Sequence, residues 1–219
     1  THNVSGTDST AQYNTAYGLT ALDAITTGDE NTAIGHNSLG ANTSGGVNVA
    51  IGIDALSTNT TASGNTAVGR NALKANNAAE NTAVGATALA ANTTGAQNVA
   101  VGVNAAETNT TGTRNIAIGY QAYKASDTEN DNLAIGYQAM LANTAGGSEN
   151  IAIGSYALND LTSGDYNTVV GHYAGDVLTS GGSNTMIGQQ AGSAQTTASN
   201  NTFVGAFAGE ASTDGGDNT

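Results

Sequence analysis

A five-residue signature recurs along the chain at nearly constant spacing, and this repeat constrains the fold more than any other feature. The signature reads Asn, any residue, then Ala, Val, Met or Phe, then Ile, Val or Tyr, then Gly. Its copies begin at residues 14, 31, 48, 65, 81, 98, 115, 132, 150, 167, 184 and 201, with spacings of 17 residues apart from one of 16 and one of 18. A fixed period is typical of repeat proteins, in which each unit contacts only its neighbours. We therefore divide the chain into an irregular N-terminal segment, 1–13, and a repeat domain, 14–219.

The repeat unit is too short and too rich in Gly for a helical repeat, which normally runs to roughly 30 residues or more. Counting each coil from its signature Asn as position 1, we predict one extended segment at the signature and a second at the usual Ala-Leu of positions 8 and 9. Ordering a coil costs about 1–2 kcal/mol per residue, whereas burying its Ile or Val and its Leu returns roughly 1.5–3 kcal/mol each. The coils must therefore stack, and the fold predicted is an all-β parallel β-solenoid (β-roll) of about twelve 17-residue coils with two short sheets.

Position 5 of every coil is Gly, which indicates a turn with positive φ or a close approach between two backbones. The predicted turn glycines are Gly18, Gly35, Gly52, Gly69, Gly85, Gly102, Gly119, Gly136, Gly154, Gly171, Gly188 and Gly205. The signature Asn has two interpretations that remain open. It either pairs with the equivalent Asn one coil away, or it serves only as a turn former.

Position 3 predicts a packing surface. Neighbouring residues of a strand face opposite sides, so if the Ile or Val at position 4 faces the coil interior, position 3 faces out. A free outer face would tolerate charged residues, yet this column holds only Ala, Val, Met or Phe from the second coil onward. We expect it to be the seam of a parallel homo-oligomer, formed by Ala33, Ala50, Ala67, Ala83, Ala100, Ala117, Ala134, Ala152, Val169, Met186 and Phe203.

Composition excludes several classes of function. The chain has four Lys and Arg residues against seventeen Asp and Glu residues, a formal net charge of −13, so it lacks the basic patch that nucleic acids and anionic membranes require. No apolar run reaches the roughly 18 residues of a membrane span, and no Cys is present for disulfides or thiolate metal sites. No grouping of nucleophile, base and stabiliser is apparent. We expect no catalytic residue, no metal site, no cofactor and no enzyme activity.

A column of Thr at position 13 suggests one alternative function. Its members are Thr26, Thr43, Thr60, Thr93, Thr110, Thr144, Thr162, Thr179, Thr196 and Thr213. Regularly spaced hydroxyls on a flat solenoid face can order surface water, so ice binding is the alternative. The competing interpretation is that these hydroxyls satisfy backbone groups of the turns.

The sequence also contains three weaker patterns. The acidic run from Asp127 to Asp131 offers oxygen ligands for Ca²⁺ but lacks the usual spacing. His36 and His172 occupy the same coil position eight coils apart, and His2 is also remote, which disfavours a shared metal. Asn-x-Thr/Ser triplets, which are acceptors for N-linked glycans in a suitable host, begin at Asn42, Asn59, Asn92 and Asn109. Their recurrence in the turns is expected of any residue pattern within a repeat.

The repeats resemble those of phage-type tail-fibre ("tail fiber domain") proteins and, with longer coils, the head repeats of trimeric autotransporter adhesins of the YadA type. The resemblance rests on runs such as 81–85 with 88–89 and 92–95, and on 132–140, and it covers residues 14–219. It implies a homotrimer of parallel β-rolls on a fibre that meets a cell surface. We therefore expect a structural fibre, filament or stalk subunit of an extracellular or viral appendage, which binds itself and a surface receptor or glycan.

The repeat pattern does not decay at the C-terminus, where Asn218-Thr219 opens a further copy in register. A solenoid edge without a cap offers unpaired strand groups to another chain. We therefore expect either a piece of a longer chain or a subunit that stacks end to end.

Overall fold

The computed structural model describes residues 10–142, 146–213 and 215–218. Each coil contains one three-residue strand, at positions 2 to 4. The strands are β1 Thr15–Tyr17, β2 Thr32–Ile34, β3 Val49–Ile51, β4 Thr66–Val68, β5 Thr82–Val84, β6 Val99–Val101, β7 Ile116–Ile118, β8 Leu133–Ile135, β9 Ile151–Ile153, β10 Thr168–Val170, β11 Thr185–Ile187 and β12 Thr202–Val204. No helix is present in the described part of the chain, and no helix there could cross a membrane.

The chain forms two compact units, residues 1–111 and 112–219. In the first unit β1 to β6 follow chain order in a parallel sheet, and in the second β7 to β12 do the same. Pairing is in register, so that Ala33 lies beside Ala50 and Ile34 beside Ile51. The predicted parallel β-solenoid with one coil per repeat is confirmed.

The prediction of two sheets is wrong, because the segment after the turn Gly does not form a second strand. Positions 7 and 9 adopt left-handed backbone conformations, with φ of 57° at Asn37 and 49° at Leu39. These bend the chain into consecutive turns. Coil-to-coil hydrogen bonds nevertheless continue, since the N–H of Leu39 donates to the Ala55 carbonyl (3.0 Å) and that of Asn37 to the Leu19 carbonyl (2.9 Å).

The signature Asn side chains lie inside the coils and make both predicted kinds of contact. Oδ1 of Asn31 accepts from the backbone N–H of Asn48 (3.0 Å) and from its Nδ2 (3.1 Å). Nδ2 of Asn31 donates to the Gly45 carbonyl at the end of its own coil (2.9 Å). In most coils the signature Asn therefore links one coil to the next and closes its own turn, which satisfies polar groups that water cannot reach. Asn65 is an exception, since its Nδ2 donates to the Ser63 carbonyl of the preceding coil (3.5 Å).

The apolar interior is filled in two different ways along the chain. In coils two to nine position 3 is a buried Ala. Position 9 is a buried Leu in five of these coils, as at Ala83 and Leu89, and is the buried Ala106, Tyr123 and Met140 in coils six to eight. In the last three coils position 3 is Val, Met or Phe and position 9 is Gly. A Cβ built on Gly192 would lie 2.5 Å from the sulfur of Met186. The large residue thus occupies the volume that Leu fills elsewhere, so the interior volume is shared between two columns.

The N-terminal segment 1–13 is described only from residue 10. Thr10 donates its N–H to the Thr26 carbonyl (3.0 Å), and the Gln12 carbonyl accepts from Glu30 (3.0 Å). Tyr13 has φ of 59°, close to the value of 60° at Glu30, its counterpart one coil later. Residues 10–13 are therefore bonded to the first coil like the end of a preceding coil.

Candidate interaction surface

The outer sheet face consists of the residues at positions 2 and 4 of each coil, which are the first and third residues of each strand. Position 2 is Thr, Val, Ile or Leu, and position 4 is Ile or Val after Tyr17 in the first coil. Ile34 is 38% exposed and Ile51 is 36% exposed, whereas Ala33 and Ala50 between the strand ends are fully buried. The coils therefore present aliphatic side chains outward and small ones inward.

This arrangement corrects the predicted oligomer seam. Positions 3 and 4 face opposite sides, as predicted, but the assignment of the two sides was wrong. Position 3 faces the coil interior and position 4 faces out. The buried residues are Ala33, Ala50, Ala67, Ala83, Ala100, Ala117, Ala134, Ala152, Val169, Met186 and Phe203. Asn and Leu side chains already fill the narrow interior, so in most coils only Ala fits at position 3. What packs against this column is the coil itself.

The position-5 glycines satisfy both conditions that the sequence suggested. Across the twelve coils φ lies between 131° at Gly35 and 150° at Gly171. A Cβ on Gly85 would lie 2.3 Å from the carbonyl oxygen of Gly102 in the next coil. No side chain fits that separation. These glycines set the coil spacing at the edge of the outer sheet face.

Most of the position-13 Thr hydroxyls for which contacts are resolved bond to the neighbouring coil. Oγ1 of Thr43 donates to the Thr60 carbonyl (3.1 Å), and Oγ1 of Thr162 donates to the Thr179 carbonyl (2.9 Å). The same contact recurs at Thr26, Thr93 and Thr179, while Thr60 donates to the Asn77 side chain. Thr144 lies outside the described residues. The column satisfies turn carbonyls, as the competing interpretation predicted.

Two carboxylates of the acidic run 127–131, those of Asp131 and Glu129, bind different groups of the protein. Asp131 forms a two-bond pair with Arg114, at 2.6 Å and 2.7 Å. Glu129 is buried, and its carboxylate accepts the backbone N–H groups of Asp127, Thr128 and Gly146. Within the described ranges no group of three His, Cys, Asp or Glu residues could hold a metal ion. His2 lies outside those ranges.

The Asn-x-Thr/Ser triplets begin at buried side chains. Asn42, Asn59, Asn92 and Asn109 are fully buried, and Nδ2 of Asn42 donates to the Gly45 carbonyl (2.8 Å). The amide nitrogen that would carry a glycan therefore closes the turn. These positions form a second Asn ladder, since Nδ2 of Asn59 also donates to Oδ1 of Asn42 (3.0 Å).

Our sequence reasoning missed a stack of tyrosine rings beside the sheet in coils seven to ten. Tyr120 and Tyr137 are 17 residues apart, as are Tyr156 and Tyr173. Aligning the coils in register would have shown these pairs on adjacent coils.

Comparisons with known proteins gave no relatives: no family model, no curated protein and no solved structure matches the chain.

Proposed function

We propose that this chain is a structural subunit of a fibre, filament or stalk, and that copies of it associate through the outer sheet face. Its setting would be an extracellular or cell-surface appendage or a virion, where it serves attachment to a surface that carries a receptor or glycan. The role is structural and involves no catalysis, nucleic acid or membrane insertion. The resemblance of its repeats to tail-fibre and adhesin-head repeats supports this setting.

The observation that carries the proposal is the apolar character of the outer sheet face. No charged residue stands at position 2 or 4 in any coil, although the chain carries seventeen acidic residues elsewhere. The exposed fraction stays at 36% to 40% for Ile34, Ile51, Val84, Ile118 and Ile187. Monomeric soluble proteins rarely expose a continuous apolar patch of more than a few hundred Å². The row of Ile and Val at position 4, which has an uncharged residue beside it in every coil, therefore favours a covering partner.

A second copy of the chain is the partner that fits this face best. The aliphatic rows repeat at the coil spacing, so parallel copies aligned in register bring Ile or Val rows together at every coil. In a closed ring about an axis parallel to the solenoids, equivalent rows of all subunits lie at the same height along the axis. The acidic residues remain outside the contact, where mutual repulsion is screened by water and salt. We expect a closed homo-oligomer and propose a trimer.

Sedimentation and light scattering on a matched pair of variants test this proposal. Ile34→Glu with Ile51→Glu places two charges on the outer sheet face of coils two and three. The control, Ser44→Glu with Thr61→Glu, adds the same charge to exposed turn residues of the same coils. We expect the wild type and the control to be oligomeric and the face variant to be monomeric.

The circular dichroism of the face variant should stay that of the wild type, because Ile34 and Ile51 are outside the coil interior. A wild-type chain that is monomeric at every concentration would overturn the proposal. So would a face variant that keeps the wild-type oligomer.

Ice binding through the Thr column is the less favoured alternative. Most resolved hydroxyls of that column donate to carbonyls one coil away, which leaves only their lone pairs for water. Thermal hysteresis measured on the purified chain separates the two functions. We expect the freezing point depression of an ordinary solute, and faceted ice growth would instead favour ice binding.

A further inference from the structure

Four tyrosine rings form a continuous stack in the second unit, one from each of coils seven to ten. We call it the tyrosine ladder: Tyr120, Tyr137, Tyr156 and Tyr173. Ring centroids are 5.4 Å apart for Tyr120–Tyr137, 5.3 Å for Tyr137–Tyr156 and 4.6 Å for Tyr156–Tyr173. The outer pairs are stacked and the middle pair is edge to face. The ladder therefore places a phenol on each coil within reach of the next.

The ladder is accessible at the surface. Tyr120 is 45% exposed and Tyr137 is 43% exposed, while Tyr156 and Tyr173 are partly exposed. In the two stacked pairs the facing ring surfaces cover one another. A flat platform for a sugar ring would need free faces. The exposed edges carry instead the ortho carbons at which phenols couple.

The other tyrosines differ in one of these two properties. Tyr13, Tyr17 and Tyr166 are 80%, 78% and 60% exposed but have no aromatic ring contact in the described chain. Tyr123 is fully buried, and its hydroxyl oxygen accepts a hydrogen bond from Asn132 (2.7 Å). Only the ladder combines solvent access with a neighbouring phenol.

We propose that the tyrosine ladder is a site of oxidative cross-linking, at which dityrosine bonds join neighbouring coils of one chain. The oxidant is hydrogen peroxide acting through a haem peroxidase. Each of two phenols loses one electron and one proton to give a phenoxyl radical, and the two radicals form a carbon–carbon bond between ortho carbons. The hydrogen on each coupled ortho carbon then moves to the oxygen of its own ring, which restores both phenols. The pair loses two hydrogen atoms in total, and these reduce one peroxide to two waters.

Tyr137 has a ladder ring on each side, at 5.4 Å and 5.3 Å between centroids. Partial burial raises the pKa of Tyr137 above its ordinary value, and the charge and hydrogen bond of Tyr156 raise it further. Because neighbouring rings are held close together, coupling within the chain has a high effective concentration and outcompetes coupling between chains. Coupling requires rotation about the side-chain torsions of these surface residues to bring the ortho carbons together.

Peptide mapping after peroxidase treatment, with fragmentation spectra that assign each link to one tyrosine of its peptide, identifies the bonds. Trypsin and a Glu-specific protease together place Tyr120 in peptide 115–124, Tyr137 in peptide 130–149 and Tyr156 in peptide 150–210. A Tyr120–Tyr137 bond therefore joins the first two peptides, and a Tyr137–Tyr156 bond joins the last two. We expect both linked species, together with dityrosine fluorescence. A mixture of unlabelled and ¹⁵N-labelled protein should give links within one isotope form only.

Two variants and one denatured control complete the test. Tyr137→Phe with Tyr156→Phe keeps the rings but leaves no two adjacent phenols in the ladder, so both linked species should be lost. Tyr13→Phe with Tyr166→Phe should leave them unchanged. In urea the links should spread over all eight tyrosines. Links that involve mainly Tyr13, Tyr17 or Tyr166 in the folded protein, links of mixed isotope composition, or no dityrosine at all would overturn the proposal.

Discussion

Positions 3 and 9 share one interior volume, so substitutions at these two positions of the eleventh coil should affect stability in a coupled way. Met186 is fully buried, and a Cβ on Gly192 would lie 2.5 Å from its sulfur and 2.9 Å from its terminal methyl carbon. Met186→Ala should cost about 2–5 kcal/mol through lost contacts and a cavity. Gly192→Leu should cost about 1–3 kcal/mol through overpacking.

The double variant Met186→Ala with Gly192→Leu recreates the pair found at Ala83 and Leu89. Its backbone is compatible, because Gly192 has φ of 64° and Leu89 adopts a left-handed φ of 49°. We therefore expect the Leu to fill the space that the Met leaves. The double variant should be more stable than the sum of the single penalties implies, with a coupling free energy of about 1–3 kcal/mol.

Urea unfolding followed by circular dichroism measures the four free energies of this cycle. A control cycle combines Met186→Ala with Gly146→Ala, where a Cβ would have no atom within 4 Å. Its penalties should add. If the penalties at Met186 and Gly192 also add, the two columns do not share interior volume and our account of the core is wrong.

Three further predictions concern the turns, the Asn ladder and the surface. Gly85→Ala should destabilise the chain by about 2–6 kcal/mol through backbone strain and overpacking. The control Gly64→Ala should cost about 1–2 kcal/mol, because φ there is 73° and the nearest atom to an added Cβ is 3.7 Å away. Comparable urea midpoints for the two variants would refute this prediction. Asn167→Asp should lose the two buried hydrogen bonds that Nδ2 of Asn167 donates, at about 1–3 kcal/mol each. Burial raises the pKa of the new carboxyl. Urea titrations of this variant should therefore show a free energy of unfolding that falls as pH rises above the ordinary aspartate range. The hydrogen bond from Arg114 lowers the pKa of Asp131. The wild type should therefore lose a small part of its free energy of unfolding as pH falls through that pKa. Arg114→Gln or high salt should abolish this pH-dependent loss.

The sequence by itself determined the period, the fold class and the turn glycines. These features follow from local and nearest-neighbour physics: a Gly that recurs every coil reports a backbone that excludes a Cβ, and a 17-residue unit with internal Gly cannot form helices. The equivalence of coils suggested an Asn ladder as one of two interpretations that the sequence left open. The structure contains that ladder, and in most coils the same side chain also closes its own turn.

Only the tertiary structure decided which strand face is inside. Alternation shows that positions 3 and 4 face opposite sides, but it does not say which side is the core. Ile and Val are more apolar than Ala, which favoured the wrong choice. The interior is narrow and already holds Asn and Leu side chains, so volume outweighs hydrophobicity there and the larger aliphatic residues remain outside. The same volume limit links Met186 to Gly192, a pairing that neither column reveals alone, because it depends on which side chains share one small space.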